Sequence, residues 1–266
     1  MWGIVPAAGK GSRIQPLAFS KELLPVGSLR DADGERPCAV SEYLVDRMIR
    51  GGARKVCFVI SAGKCDIIQY FGAEYGPASI AYVVQPEPLG LCDAVFRAAP
   101  LIAPTEPVIV GLPDTIWFPN DALAKLPDDR LSFLLFPVSR PQVFDAVVHD
   151  ETGLVREIQV KRRDPDSSWI WGAFKMPGHV FEELRVLWHR RNCEDEFIGS
   201  LVNAYIHDGG TAHAIRAGSS YVDVGTLHGY REAISLLSTQ APNEGRAAPP
   251  GRQSRARLTS VAGAVG

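Results

Sequence analysis

The chain has 266 residues, a formal net charge of −2 and 46% hydrophobic residues, which is room for one large domain or two small ones. Near-neutral charge excludes a general attraction to nucleic acid or to an anionic membrane surface, and no apolar run is long enough to span a bilayer. No basic segment with an apolar core and cleavage site opens the sequence, and the scattered Cys38, Cys57, Cys65, Cys92 and Cys193, without a C-x-x-C, argue against a disulfide framework or zinc site, so a reducing cytoplasm is expected.

Short β-branched and apolar runs predict strands near Gly3–Pro6, Val56–Ile60, Ile80–Val84, Val108–Leu112, Ser132–Val138, Ala146–His149, Val155–Val160, Trp169–Phe174 and Ala212–Ile215. Helix-like segments separate the first four, so these are expected to lie parallel with crossover helices, an α/β fold. One helix is predicted over Ser41–Arg50: Val40, Leu44 and Met48 share a face, and Gly51-Gly52 ends it. A second spans Asp66–Phe71 with Asp66 as its N-cap, and a third follows Leu91. From Ser132 to Lys175 strand follows strand, with HDETGLV as a hairpin turn. Helices follow over Val180–His189, Glu196–His207 and Leu227–Leu237, the last capped by Thr226. Residues 241–266 are rich in Ala, Pro, Gly and Arg and hold no aromatic residue, so a disordered tail is expected after a domain spanning 1–240.

The stretch VPAAGKGSRIQPLAFSKELLPVG, Val5–Gly27, follows an apolar run with glycines, Arg13 and Lys21, a combination suited to phosphate. No G-x-x-x-x-G-K-[ST] can be laid over it. A dinucleotide fingerprint fails too: Arg13 stands near the place of a third glycine, and Pro16 opposes an immediate helix. On Gly9 and Gly11 alone, a tight turn is an equal reading.

The remainder of that loop resembles the signature of the sugar-1-phosphate nucleotidylyltransferases: Gly9, Gly11, Ser12, Arg13, Pro16, Leu17, Lys21 and Leu23–Val26 match, with Ser20 where the family usually has proline. The resemblance continues in order. QPEPLGLCDAV is similar to the family's base-binding segment, and VIVGLPDTIW to the strand leading to a metal aspartate, here Asp114. FDAVVHDETGLVREIQVK resembles the sugar-side hairpin ending at Lys161, WIWGAFKM the strand whose glycine, Gly172, borders the sugar, and YVDVGTLHGYREA the segment of a second metal aspartate, Asp223. Val160 stands where relatives often carry glutamate, and Ala146 where they often carry glycine. The likeness is greatest to thymidylyl- and uridylyltransferases acting on hexose 1-phosphates.

That resemblance implies a three-layer αβα sandwich around a mostly parallel, Rossmann-like mixed sheet, the GT-A-like nucleotidyltransferase fold. It implies nucleotidyl transfer from dTTP or UTP to a sugar 1-phosphate, such as glucose 1-phosphate, with Mg²⁺ as cofactor and self-association as in relatives. By the same resemblance Ala8, Gly9, Gly11, Ser12 and Arg13 would hold the triphosphate, and Gln85 and Gly90 the base. Ala146, Lys161 and Gly172 would hold the sugar phosphate, and Asp114 and Asp223 the metal. Arg13, Lys21, Asp114 and Lys161 would serve the chemistry.

General chemistry asks for the same residue types. A sugar 1-phosphate oxygen is anionic near neutral pH and needs no general base; the barrier lies in bringing polyanions together and stabilising departing pyrophosphate. Each residue has a plainer reading as well. Asp114 could be a helix cap, although the next helix is expected only near Pro119; Asp223 could form a turn; Lys161 could belong to a solvated basic strand end with Arg162 and Arg163. A nucleotide-binding regulatory protein without turnover, favoured only by Ser20 and Val160, stays open at this level. So does a cytidylyl- or guanylyltransferase for another phosphorylated alcohol.

Overall fold

A computed structural model of the chain describes residues 1–31, 34–238 and 243–244. The first half runs β1 (Trp2–Pro6), β2 (Pro25–Asp31), β3 (Gly34–Ala39), α1 (Val40–Arg50), β4 (Lys55–Ile60), α2 (Cys65–Phe71), β5 (Glu74–Tyr75), β6 (Ala78–Val84), α3 (Gly90–Phe96), β7 (Val108–Gly111) and β8 (Thr115–Phe118). The second half runs β9 (Ser132–Pro137), β10 (Asp145–His149), β11 (Val155–Val160), β12 (Trp169–Met176), α4 (Gly178–Arg190), α5 (Ile198–His207), β13 (His213–Ile215), β14 (Ser220–Asp223), α6 (Leu227–Ser238) and β15 (Asn243–Glu244).

Ten strands form the central sheet, along the path β11-β10-β12-β7-β1-β4-β6-β5, with β9 pairing β12 and β13. The expected parallel core is present: β1 pairs in parallel with β4 and β7, and β4 with β6. Beyond β7 the pairings are antiparallel except for β13, which lies parallel to β9, and the HDETGLV segment is the hairpin between β10 and β11, with Gly153 at φ +84°. The alternation of apolar residues along β1 decides the layers. Ile4 packs with Phe96, Phe181 and Leu201 on one face, while Val5 packs with Leu44, Met48 and Phe71 on the other. Helices therefore cover both faces of a mostly parallel mixed sheet, the three-layer α/β architecture.

A third cluster sits at one side. Val26 and Leu29 of β2, Cys38 of β3, Tyr43 of α1, Ile116 of β8, Val222 of β14 and Ala233 of α6 bury one another. The β2–β3 hairpin and the β8–β14 ladder replace what the sequence suggested was loop. The helix expected near Pro119 is only a 3-10 turn over Ala122–Lys125, and Asp114 precedes a strand. Asp66 is also not an N-cap: α2 begins one residue earlier, at Cys65, after Lys64. Thr226 does cap α6, its Oγ1 accepting from the Gly229 amide at 3.0 Å. All five cysteines are free, with Cys57 fully buried in β4. The expected tail lies outside the described residues except Asn243–Glu244, which pair with Leu29 and Arg30 of β2. No helix among the described residues is long and apolar enough to cross a membrane.

Candidate active site

Because β1, β4, β6 and β7 run parallel, the loops leaving their carboxyl ends gather at one edge of the sheet, where open α/β folds receive ligands. The glycine loop follows β1, the Ser61–Lys64 turn follows β4, Gln85 follows β6 and Asp114 follows β7. Asp145 pairs with Val160 and Ala146 with Ile170, which places Asp145 and Lys161 at that edge as well.

Asp114 and Asp223 meet through the short β8–β14 ladder, where Asp223 pairs with Thr115 and the Val224 amide donates to the Asp114 carbonyl at 2.8 Å. A Cβ placed on Gly225 would lie 2.8 Å from Asp223 Oδ1, 3.1 Å from Asp114 Oδ2 and 3.1 Å from Arg13 Nη2. Both carboxylates thus border one small gap that a side chain would fill. Each carries a cation from the glycine-rich segment: Lys21 Nζ on Asp114 Oδ2 at 2.5 Å, and Arg13 Nη2 on Asp223 Oδ2 at 3.2 Å. Burial alone would raise the Asp114 carboxyl, but the Lys21 charge and hydrogen bond outweigh it and hold the acid low. Asp223 is pushed up instead, by burial first and then by the Asp114 charge. Burial disfavours the Lys21 cation, yet the charges of Asp114 and Glu22 prevail and raise it.

Gly11 makes the Lys21 contact feasible. Its φ is +64°, and a Cβ there would meet Lys21 Cδ at 2.6 Å. Gly9 is open, with nothing within 4 Å of a would-be Cβ, and Ser12 is exposed beside it. Ala8 is buried beneath. Two fastenings not legible in the sequence fix this loop. Ser20 donates its backbone N–H (2.6 Å) and its hydroxyl (2.7 Å) to the Asp66 carboxylate. Lys64 Nζ donates to the carbonyls of Ala7 (2.6 Å) and Gly9 (2.8 Å) and to both Glu22 oxygens at 2.8 Å. The β4–α2 turn therefore ties the glycine loop to the lysine loop.

Gln85 is buried and donates its side-chain NH₂ to Asp93 Oδ2 (2.7 Å) and to the Gly90 carbonyl (3.2 Å). Gly90 adopts φ +96°, and a Cβ there would strike Glu196 Cα at 2.7 Å, so its small size admits the lead-in to α5. Gly172 likewise makes room for the rings of Phe136 and Tyr221, at 2.6 and 2.7 Å from a would-be Cβ. The Ala146 side chain is fully buried. Lys161 is exposed at φ +45°, with Nζ 4.4 Å from the Phe197 ring centroid. Asp145, passed over as a candidate although it stands in the quoted FDAV, is pushed up by burial, with the Lys161 charge opposing. Arg13, Lys21, Asp114 and Asp223 form one contiguous cluster, whereas Gln85 bonds Asp93 and Lys161 rests on Phe197, both outside it.

The sequence profile of a family described as "Nucleotidyl transferase" matches residues 2–240. The UTP–glucose-1-phosphate uridylyltransferase AglF of Haloferax volcanii is 28% identical over 247 residues, covering 90% of this chain and 98% of that protein. A glucose-1-phosphate thymidylyltransferase of Neisseria meningitidis is 27% identical over 252 residues, covering 90% of this chain and 83% of that one. A UTP-bound UGPase from Acinetobacter baumannii superposes with a TM-score of 0.72 at 19% identity, over 91% of this chain and 94% of that chain, a likeness of fold.

Proposed function

Because the chain belongs to the nucleotidyl transferase family, within the sugar-1-phosphate nucleotidylyltransferases, we propose that it transfers a nucleotidyl group from UTP or dTTP to a hexose 1-phosphate, with glucose 1-phosphate the first acceptor to try. A sugar-phosphate oxygen forms the new bond to the α-phosphorus, the bond to the β-phosphate bridging oxygen breaks, and pyrophosphate leaves with that electron pair. The observation that carries this reading is the convergence of Asp114 and Asp223 on one gap facing Arg13 and Lys21.

That gap suits Mg²⁺. The donors are hard carboxylate oxygens, and no group of three or more His, Cys, Asp or Glu fit to hold a metal occurs among the described residues, so phosphate oxygens and water would complete the shell, as Mg²⁺ prefers. When bound, the ion would supply positive charge to the phosphate oxygens it shares. The remaining work falls to the chain. Backbone amides at Gly9–Ser12 approach the triphosphate from the open side of the loop. Arg13, 64% exposed and held only at its tip, is free to turn its planar fork to the β- and γ-phosphates. Lys21, held cationic beneath them, neutralises the α-phosphate or the leaving group. Lys161 meets the incoming sugar phosphate from its perch on Phe197. Ser20 loses much of its weight for a binding-only protein, since its bonds to Asp66 anchor the lysine loop without a proline. The profile match ends at residue 240, which supports taking 1–240 as the nucleotidyltransferase domain.

The test is a matrix of UTP, dTTP, CTP and GTP against hexose 1-phosphates, scored by Mg²⁺-dependent pyrophosphate release. Turnover is expected with UTP or dTTP. Nucleotide binding without turnover in any combination would instead establish the regulatory reading.

A further inference from the structure

The side chain of Gln85 is held in one of its two amide orientations by chemistry alone. Its nitrogen sits between two acceptors, Asp93 Oδ2 at 2.7 Å and the Gly90 carbonyl at 3.2 Å. A backbone carbonyl cannot donate, and the Asp93 carboxylate is itself engaged by Arg97, 3.0 Å away. Turning the amide over would lose both bonds and set its oxygen against both acceptors, lone pair facing lone pair. Gln85 and Asp93 are each 4% exposed, so little water reaches the contact between them. The amide oxygen Oε1 accepts from no described residue and is not among the sealed, unpartnered polar atoms, so it is the part of this side chain left for a ligand.

We propose that Asp93 is a positioning residue that locks the Gln85 amide oxygen outward, so that the nucleotide pocket takes a pyrimidine carrying an imino N–H, as uracil and thymine do, and rejects cytosine. The proposal rests on the reading of Gln85 as the base-facing residue. An outward acceptor pairs with the N3–H of uracil or thymine. The N3 of cytosine is itself an acceptor, and the two lone pairs would face each other. A free glutamine would not discriminate, because it could rotate to offer its NH₂ instead. Selection would therefore reside in the pair on α3 behind the glutamine, Asp93 with its partner Arg97, as much as in the glutamine.

The test is calorimetric binding of Mg-UTP and Mg-CTP to the intact protein, to Asp93→Ala, and to Asp93→Leu, which keeps the buried volume and removes the acceptor. The wild type is expected to prefer UTP by about tenfold or more, and both variants to lose about tenfold in UTP affinity while CTP affinity holds or rises. A gain for CTP is something damage to the fold cannot produce. A measurement on the unmodified protein stands beside the variants: both Gln85 side-chain amide hydrogens should be protected from solvent exchange, with and without UTP. Equal losses for the two nucleotides, an unchanged ratio, rapidly exchanging amide hydrogens, or a wild type that binds CTP as well as UTP would each overturn the lock. Pyrophosphate release from the same samples separates the two levels. No turnover with the UTP preference and its Asp93 dependence intact would remove the enzyme and leave the lock; turnover with an Asp93-insensitive preference would remove the lock alone.

Discussion

Ser20 shows how a departure from an expected residue is absorbed locally. A proline before Lys21 would restrict the backbone but could offer no N–H. Serine offers two donors, and Asp66 takes both. Burial alone would raise the Asp66 carboxyl, but the Ser20 hydroxyl and amide, together with the Ile67 amide, hold it below the ordinary range. An acid with a depressed folded pKa stabilises the fold above its unfolded pKa and loses that contribution as the pH falls through the folded value. Ser20→Ala removes one of the two bonds, so it should cost about 1 kcal/mol near pH 7, discounted for partial exposure. The difference from wild type should close as the pH drops below about 4. Urea midpoints measured across this range check it; a deficit that persists undiminished into acid would place the effect elsewhere. Sequence reading brought Arg13, Lys21, Asp114 and Asp223 forward as candidates because their types and order match a known signature. Ser20 and Asp66 were not visible as partners, since a bond between residues in separate loops leaves no local pattern.

Among the elements, α2 and the turn before it do more than connect strands. Lys64 satisfies two loop carbonyls and the fully buried Glu22, bridging the glycine loop and the lysine loop. Burial lowers Lys64 and raises Glu22, each opposed by the other's charge, so neither tolerates the loss of its partner. Lys64→Met should destabilise the protein by about 3–5 kcal/mol, and adding Glu22→Gln should recover part of the loss. Chemical denaturation of the single and double variants measures both; a single-variant loss below about 1 kcal/mol would mean that water reaches Glu22. Most strands of the main sheet were legible because they carry apolar or β-branched runs of useful length, whereas the two-residue β5 has none. The β2–β3 hairpin was not, because PVGSLRD and GERPCA mix proline, glycine and charge, and their pairing depends on Tyr43 and Ala233 arriving from α1 and α6. At four residues each, β8 and β14 are too short to show a period, yet their register is what brings the two acids together.

At the scale of the molecule, the parallel core presents loops at one edge, and a side ladder built from distant parts of the chain delivers the second carboxylate there. Topology rather than local sequence creates the site, which is why its members could be nominated from sequence but their meeting could not be derived from it. The sugar side was less legible. Gly172 serves ring packing, Ala146 is sealed within the sheet, and Lys161 rests on Phe197. The measurement closest to the central claim is Mg²⁺-dependent pyrophosphate release by wild type and by Asp114→Asn, whose fold is confirmed by its melting curve. Turnover should fall by about a thousandfold or more, with nucleotide binding still measurable. Wild-type turnover by the Asn variant would show that the two aspartates do not carry the reaction.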